Sequence, residues 1–176
     1  MFIGREDLIA DLSALCEKRV SSLVTCRGRR RIGKSTLITE FARRIRAQFI
    51  HLEGLKPQKG YSNETELRAF NDQLCAQTEK RMPPPENWTE AFVQLDKCLP
   101  TAKRTVVLLD EISWFAHYDK TFADTVKVCW DNYWKRHDKL IVVLCGSVSS
   151  WIKDNITDNA SFLGRRSQDL VVRELP

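Results

Sequence analysis

Leu23-Val24-Thr25-Cys26-Arg27-Gly28-Arg29-Arg30-Arg31-Ile32-Gly33-Lys34-Ser35-Thr36 is the stretch whose reading decides the fold. An apolar run ends at Gly28, which marks a buried strand. Gly28 to Ser35 then follows the pattern G-x-x-x-x-G-K-[ST]. Downstream, Leu37, Ile38, Phe41, Ala42 and Ile45 recur at helical spacing, predicting a helix over about 34–46. Strand, loop and helix in this order are the context in which the pattern cradles phosphate. Glycines let the backbone curl so that successive N–H groups face phosphate oxygens. The helix N-terminus adds its positive end. Lys34 has the reach for β- and γ-phosphates, and the Ser35 hydroxyl is placed to ligate Mg²⁺. The expected nucleotide-binding set in this stretch is Gly28, Arg29, Arg30, Arg31, Ile32, Gly33, Lys34, Ser35 and Thr36.

Arg27, Arg29, Arg30 and Arg31 admit two readings. They are a nucleic-acid patch, or a solvated rim that raises the potential for a triphosphate. The phosphate loop already occupies that position, which favours the rim. The net charge of +5 over 176 residues is mildly basic and favours a polyanionic partner only weakly.

Working outward, Leu8, Ile9, Leu12 and Leu15 predict a first helix over about 6–18. A second strand is expected at 49–53, and a loop at 55–61. Asn63-x-x-Glu66 reads as a capping box for a helix to about 80, ended by Pro83-Pro84-Pro85. Asn87-x-x-Glu90 repeats the signal for a helix to about 98. Strands follow at 105–109, 140–145 and 170–172, with helices at about 120–136 and 148–155. Apolar strands alternating with helices imply one α/β domain with a parallel sheet covered on both faces, three layers in all.

The third strand ends in Asp110-Glu111. Beside a phosphate loop, Asp110 is the expected metal ligand, mostly through water, and Glu111 the expected general base for the attacking water. The fourth strand ends at Gly146-Ser147. Ser147 is positioned to hydrogen-bond the γ-phosphate or the water. It serves equally well as a helix cap, and the two roles are compatible.

Composition is that of a globular domain, with 43% apolar and 29% charged residues. No run approaches the roughly 20 apolar residues of a membrane span, and the first residues lack a signal-peptide pattern, so a cytoplasmic location is expected. The six cysteines contain no Cys-x-x-Cys pair and read as small buried hydrophobes rather than a disulfide frame or zinc site. His51, His117 and His137 are scattered and read as ordinary surface or core residues. The aromatics near 130 read as core.

Five segments together carry a family resemblance: Phe2-Ile3-Gly4-Arg5-Glu6, Gly28 to Ser35, Leu108-Leu109-Asp110-Glu111, Leu144-Cys145-Gly146-Ser147 and Phe162-Leu163-Gly164-Arg165-Arg166. In order and spacing the chain resembles prokaryotic, archaeal-type P-loop ATPases related to the STAND and AAA+ classes. The resemblance implies an ASCE-type parallel sheet of order 5-1-4-3-2 and ATP as the nucleotide. It implies that Phe2, Ile3, Gly4 and Arg5 lie by the adenine and ribose, and that Ser147 is the sensor residue. It also implies that Arg165 or Arg166 reaches a neighbouring subunit's γ-phosphate; the alternative is a structural pairing with Asp169 or Glu174. Members continue into a helical lid and often further domains. Residues 1–176 therefore read as a single ATPase core, with the lid and output parts apparently outside this chain.

Three functions follow as expectations. The first is Mg²⁺-dependent hydrolysis of ATP to ADP and phosphate, coupled to a conformational or assembly switch, with Lys34, Glu111, Ser147, Arg165 and Arg166 as the catalytic set. The second is a nucleotide-dependent switch with little turnover. The third is a nucleic-acid-associated ATPase module. Self-association across the nucleotide site is the expected contact between copies, and no membrane partner is expected.

Overall fold

Alternate residues along the strands point to opposite layers, and both layers are buried. That forces a sheet sandwiched between helices. The structure is a computed structural model that describes residues 4–147 and 149–175, apart from the side chain of Ser149; expectations placed on Phe2, Ile3 and Val148 lie outside the described residues. The elements run α1 (Glu6–Ala14), β1 (Ser22–Arg27), α2 (Lys34–Arg44), β2 (Gln48–Glu53), α3 (Asn63–Thr78), α4 (Trp88–Cys98), β3 (Thr105–Asp110), α5 (Ile112–Phe115), α6 (Phe122–Asn132), β4 (Leu140–Gly146), α7 (Ser149–Ile152) and β5 (Gln168–Val171). A π-turn at Lys153–Thr157 extends α7. The five strands pair in parallel in the order β2-β3-β4-β1-β5. This is the expected 5-1-4-3-2 order read from the other edge. It sets β3 beside β4 and β4 beside β1, so the phosphate loop and Asp110 emerge at one end of the sheet.

Leu23, Val142, Leu144, Val107, Leu109 and Ile50 face α3, α4 and α6, whereas Val24, Val143, Val106 and Leu108 face α1 and α2. The six cysteines are unpaired, four of them buried. Among the described residues no helix is long and apolar enough to cross a membrane.

One local expectation is corrected, and one element is added. The capping box of α3 starts at Ser62, not Asn63: the Ser62 N–H donates to Thr65 Oγ1 at 3.1 Å. Asn63 instead accepts from Trp88 Nε1 at 2.9 Å, and Glu66 is fully buried, accepting the Leu55 N–H at 3.1 Å. Tertiary partners claimed both side chains. The helix α5, directly after Glu111, was not anticipated, because four residues are too few to show a period.

The free edge of β2 is closed by side chains from α3. Gln77 accepts the His51 N–H at 2.8 Å and donates to the His51 carbonyl at 2.7 Å. Gln73 does the same for Glu53, at 2.9 and 3.0 Å.

Candidate functional site

The loop between β1 and α2 turns through left-handed backbone at Arg31 (φ 61°) and Gly33 (φ 91°). At Gly28 a Cβ would stand 2.4 Å from the Val172 carbonyl oxygen, so only glycine fits where the loop leaves the sheet. Lys34 is buried, and its ammonium donates to the carbonyls of Gly28 (2.9 Å) and Arg29 (2.6 Å). The charge therefore sits inside the loop where phosphate oxygens are expected. Thr36 lies exposed in the first turn of α2.

The four arginines do not act alike. Arg27 pairs with Asp169 of β5 at 3.0 Å, and Arg29 with Glu174 at 2.9 Å. The Arg30 guanidinium lies 5.1 Å over the Trp114 ring, and Arg31 is exposed. Half of the presumed patch is thus matched by carboxylates. Beside the loop, a cleft of about 480 Å³ is lined by Gly28, Arg29, Ile32, Val172, Arg173 and Glu174. Arg5 donates to the Arg173 carbonyl at 3.0 Å, and its guanidinium lies against Gly33. Gly4 packs on Leu175. The N-terminal Gly-Arg pair is therefore brought to the loop.

Asp110, at the end of β3, is buried and collects three donors. Its Oδ2 accepts from Ser35 Oγ at 2.5 Å and His51 Nε2 at 3.0 Å, and its Oδ1 from the Glu111 N–H at 3.0 Å. Burial pushes this carboxyl up, but the bonds from His51 and Ser35 outweigh it and hold the group below the ordinary range. Nearby, Glu53 is pushed up by burial and by the charge of Asp110.

Glu111 caps α5 with left-handed backbone (φ 49°), a strained conformation for a residue with a side chain. Gly54 makes room for it: a Cβ there would meet the Glu111 carbonyl oxygen at 2.8 Å. The turn aims the Glu111 carboxylate at β4, where it accepts from Ser147 Oγ at 2.9 Å. Five of the expected residues, Lys34, Ser35, Asp110, Glu111 and Ser147, thus converge across three strand ends.

The hydroxyl of Ser35 and the carboxylate of Asp110 are hard oxygen donors that touch one another. Among the described residues no group of three or more His, Cys, Asp or Glu is arranged to hold a metal. Two protein oxygens suit Mg²⁺, which keeps several waters and takes further oxygens from phosphates.

Arg165 does not pair with Asp169 or Glu174, which Arg27 and Arg29 occupy. It grips Asp131 of α6 with two bonds, of 2.8 and 2.9 Å, and donates to the Ser161 carbonyl at 2.6 Å. Arg166 lies where its charge acts on Asp169, with Nη1 buried and without a hydrogen-bond partner among the described residues. His51, read from the sequence as ordinary, is a member of the site. The available signal was the alternation of Phe49, His51 and Glu53 on one side of β2, ending level with Asp110.

Comparison with known proteins agrees with this geometry. A family model described as an AAA domain matches residues 20–173. The Walker-type ATPase of Pyrococcus abyssi superimposes with a TM-score of 0.67 at 18% identity, over 97% of this chain and 53% of that one. The ORC2 protein of Aeropyrum pernix, solved as ADPNP–ADP complexes, gives 0.66 at 14% identity, over 97% and 48%. Cdc6p from Pyrobaculum aerophilum gives 0.68 at 14%, over 98% and 46%. The chain spans about half the length of these structures. No curated protein matches the sequence. With the expected strand order, the phosphate loop in its strand–helix context and a family match over most of its length, the chain belongs to the AAA domain family of P-loop ATPases.

Proposed function

We propose that residues 1–176 form one ATPase core that hydrolyses ATP to ADP and phosphate with Mg²⁺, turnover being coupled to a change of conformation or assembly. The observation that carries this reading is the hydrogen-bonded run Ser35–Asp110–Glu111–Ser147 beside the Lys34 ammonium. Loop N–H groups from Gly28 to Thr36 hold the phosphates, and Lys34 leaves the Gly28 and Arg29 carbonyls to meet the β- and γ-oxygens. Ser35 and Asp110 hold the metal ion, which when bound neutralises charge on those oxygens. Glu111 takes a proton from the attacking water, and Ser147 orients that carboxylate or the γ-phosphate. Arg5, next to Gly4, bonds the carbonyl of Arg173, a residue lining the cleft beside the loop, where the nucleoside is expected.

Lys34 would exchange the Gly28 and Arg29 carbonyls for phosphate oxygens when nucleotide binds, and this exchange is the step proposed to couple binding to conformation. Arg165 and Arg166 remain the arginines proposed to act on a neighbour's nucleotide; Arg165 must first release Asp131. Pairing of Arg27 and Arg29 with carboxylates removes charge that a nucleic-acid patch would need, which leaves the phosphate loop itself as the anion site.

Two variants test the reading. By calorimetric titration, Lys34→Ala should lower ATP affinity tenfold or more, about 1.4 kcal/mol. Glu111→Gln should keep ATP binding and slow hydrolysis by about 10²-fold. Unchanged affinity in the first would remove the phosphate-loop assignment. A wild-type rate in the second would leave a nucleotide-binding switch without this base.

A further inference from the structure

We propose that His51 is a positioning residue for the metal-binding carboxylate: its Nε2–H fixes Asp110 in the orientation that serves Mg²⁺, so it sets how strongly the metal enhances ATP binding. The inference rests on the assignment of Asp110 and Ser35 to the metal and adds a residue to that site.

The geometry is that of a supported side chain, not an incidental contact. His51 lies on the edge strand β2, one strand beyond β3, yet reaches Asp110 Oδ2 at 3.0 Å. An ionised carboxylate only accepts hydrogen bonds, so the imidazole nitrogen must be the donor, which fixes the tautomer. The ring stacks on Phe49 at 5.8 Å between centroids, two residues back on the same side of the strand. Gln77 holds the His51 N–H and carbonyl from the outer side. Backbone, ring and tip are each held, while the side chain stays about one-third exposed.

The bond matters because of what else Oδ2 does. The same oxygen also accepts from Ser35 at 2.5 Å. When the Ser35 hydroxyl turns to a metal ion, Oδ2 loses that donor. His51 and the Glu111 N–H are then the groups left to prevent Asp110 from rotating. A carboxylate already held in place gives up less freedom on binding, so affinity is gained without a new contact.

The test is equilibrium titration with a fluorescent, non-hydrolysable imidotriphosphate analogue of ATP, in excess EDTA and in excess Mg²⁺. The readout is the ratio of the two affinities. For His51→Ala the affinity in EDTA should stay within about twofold of wild type, while the gain from Mg²⁺ falls by about tenfold, the size of one lost charge-assisted hydrogen bond. His51→Gln places an N–H donor the same number of bonds from Cα and should restore the gain to within about threefold. His51→Asn, one bond shorter, should behave like His51→Ala, and it decides the question if the alanine variant does not fold. A purely structural role would lower the melting temperature and leave the ratio unmoved. An unchanged Mg²⁺ gain in both short variants overturns the proposal. No Mg²⁺ gain in the wild type would instead overturn the metal assignment of Asp110 and Ser35.

Discussion

The two faces of the sheet are built from different materials. One is aromatic: Phe70, Trp88, Phe92, Phe115, Phe122 and Trp134 pack largely edge to face between α3, α4, α5 and α6. The other is mostly aliphatic, with Ile9, Leu12, Leu37, Ile38 and Val143 around Phe41 beneath α1 and α2. Helix α2, whose first turn closes the phosphate loop, belongs to the second face. Large rings bury much area per side chain and lock one another by geometry. Short aliphatics let α2 lie close on the strands and fix the height of its N-terminus. The difference suggests a division of labour: the aromatic layer supplies most of the stability, and the aliphatic layer supplies placement of the loop.

The largest expected effect tests the aromatic half of that division. Phe92 is fully buried and touches four rings at centroid distances of 5.9, 5.7, 5.7 and 5.0 Å. Phe92→Ala should cost about 3–5 kcal/mol in denaturant unfolding, yet leave ATP affinity of the folded fraction within about twofold, since the rings it packs against belong to the layer opposite α2. An affinity loss as large as the stability loss would break the comparison.

A smaller effect sharpens it. Helix α3 turns Leu67, Phe70 and Leu74 to the aromatic layer and also buries Glu66, whose Oε1 has no hydrogen-bond partner among the described residues. Burial pushes this carboxyl up to about 7, only partly offset by the Leu55 N–H. Folding thus favours the protonated form. Its stabilising effect is complete below the unfolded value of 4.5 and is lost as pH rises towards about 7. Glu66→Gln should flatten the fall in stability across that window and raise stability at pH 8 by on the order of 1–2 kcal/mol. A stability–pH curve unchanged by the substitution would mean that Glu66 finds a partner.

The smallest effect concerns the turn after Leu163, tied to α6 by Arg165 and Asp131. Partly exposed ion pairs at a surface contribute little, so Arg165→Ala should shift the melting temperature by no more than about 3 °C. If Arg165 acts on a neighbour's nucleotide, the wild-type ATPase rate per molecule rises with protein concentration and the variant's does not. A rate flat in both leaves Arg165 as a tether of α6.

What the sequence disclosed follows from how locally each feature is encoded. The strand, loop and helix from Leu23 to Ile45 carry their own glycines and periodicity, so they were legible without the fold. Asp110-Glu111 and Ser147 were legible because each closes an apolar run, and strand ends in this fold share one side. His51 was not, because it meets Asp110 only through β2–β3 pairing, 59 positions further along the chain. The carboxylate that holds Arg165 was hidden for the same reason: Asp131 lies 34 residues away on α6. Ser62 displaced Asn63 as the cap because Asn63 found Trp88, a partner invisible to a four-residue motif.

The glutamines of α3 bear on how the sheet stops. A carboxamide carries one carbonyl and one N–H pair, the donor–acceptor set of a peptide unit. Residues four apart on a helix are separated by about 6 Å along its axis, and residues two apart on a strand by about 6.6 Å. Gln73 and Gln77 therefore meet Glu53 and His51 almost in step. The helix prints two peptide-like rungs onto the strand and acts as a false neighbour, a terminator written in side chains. A strand from another chain that tried to join there would find those rungs already taken.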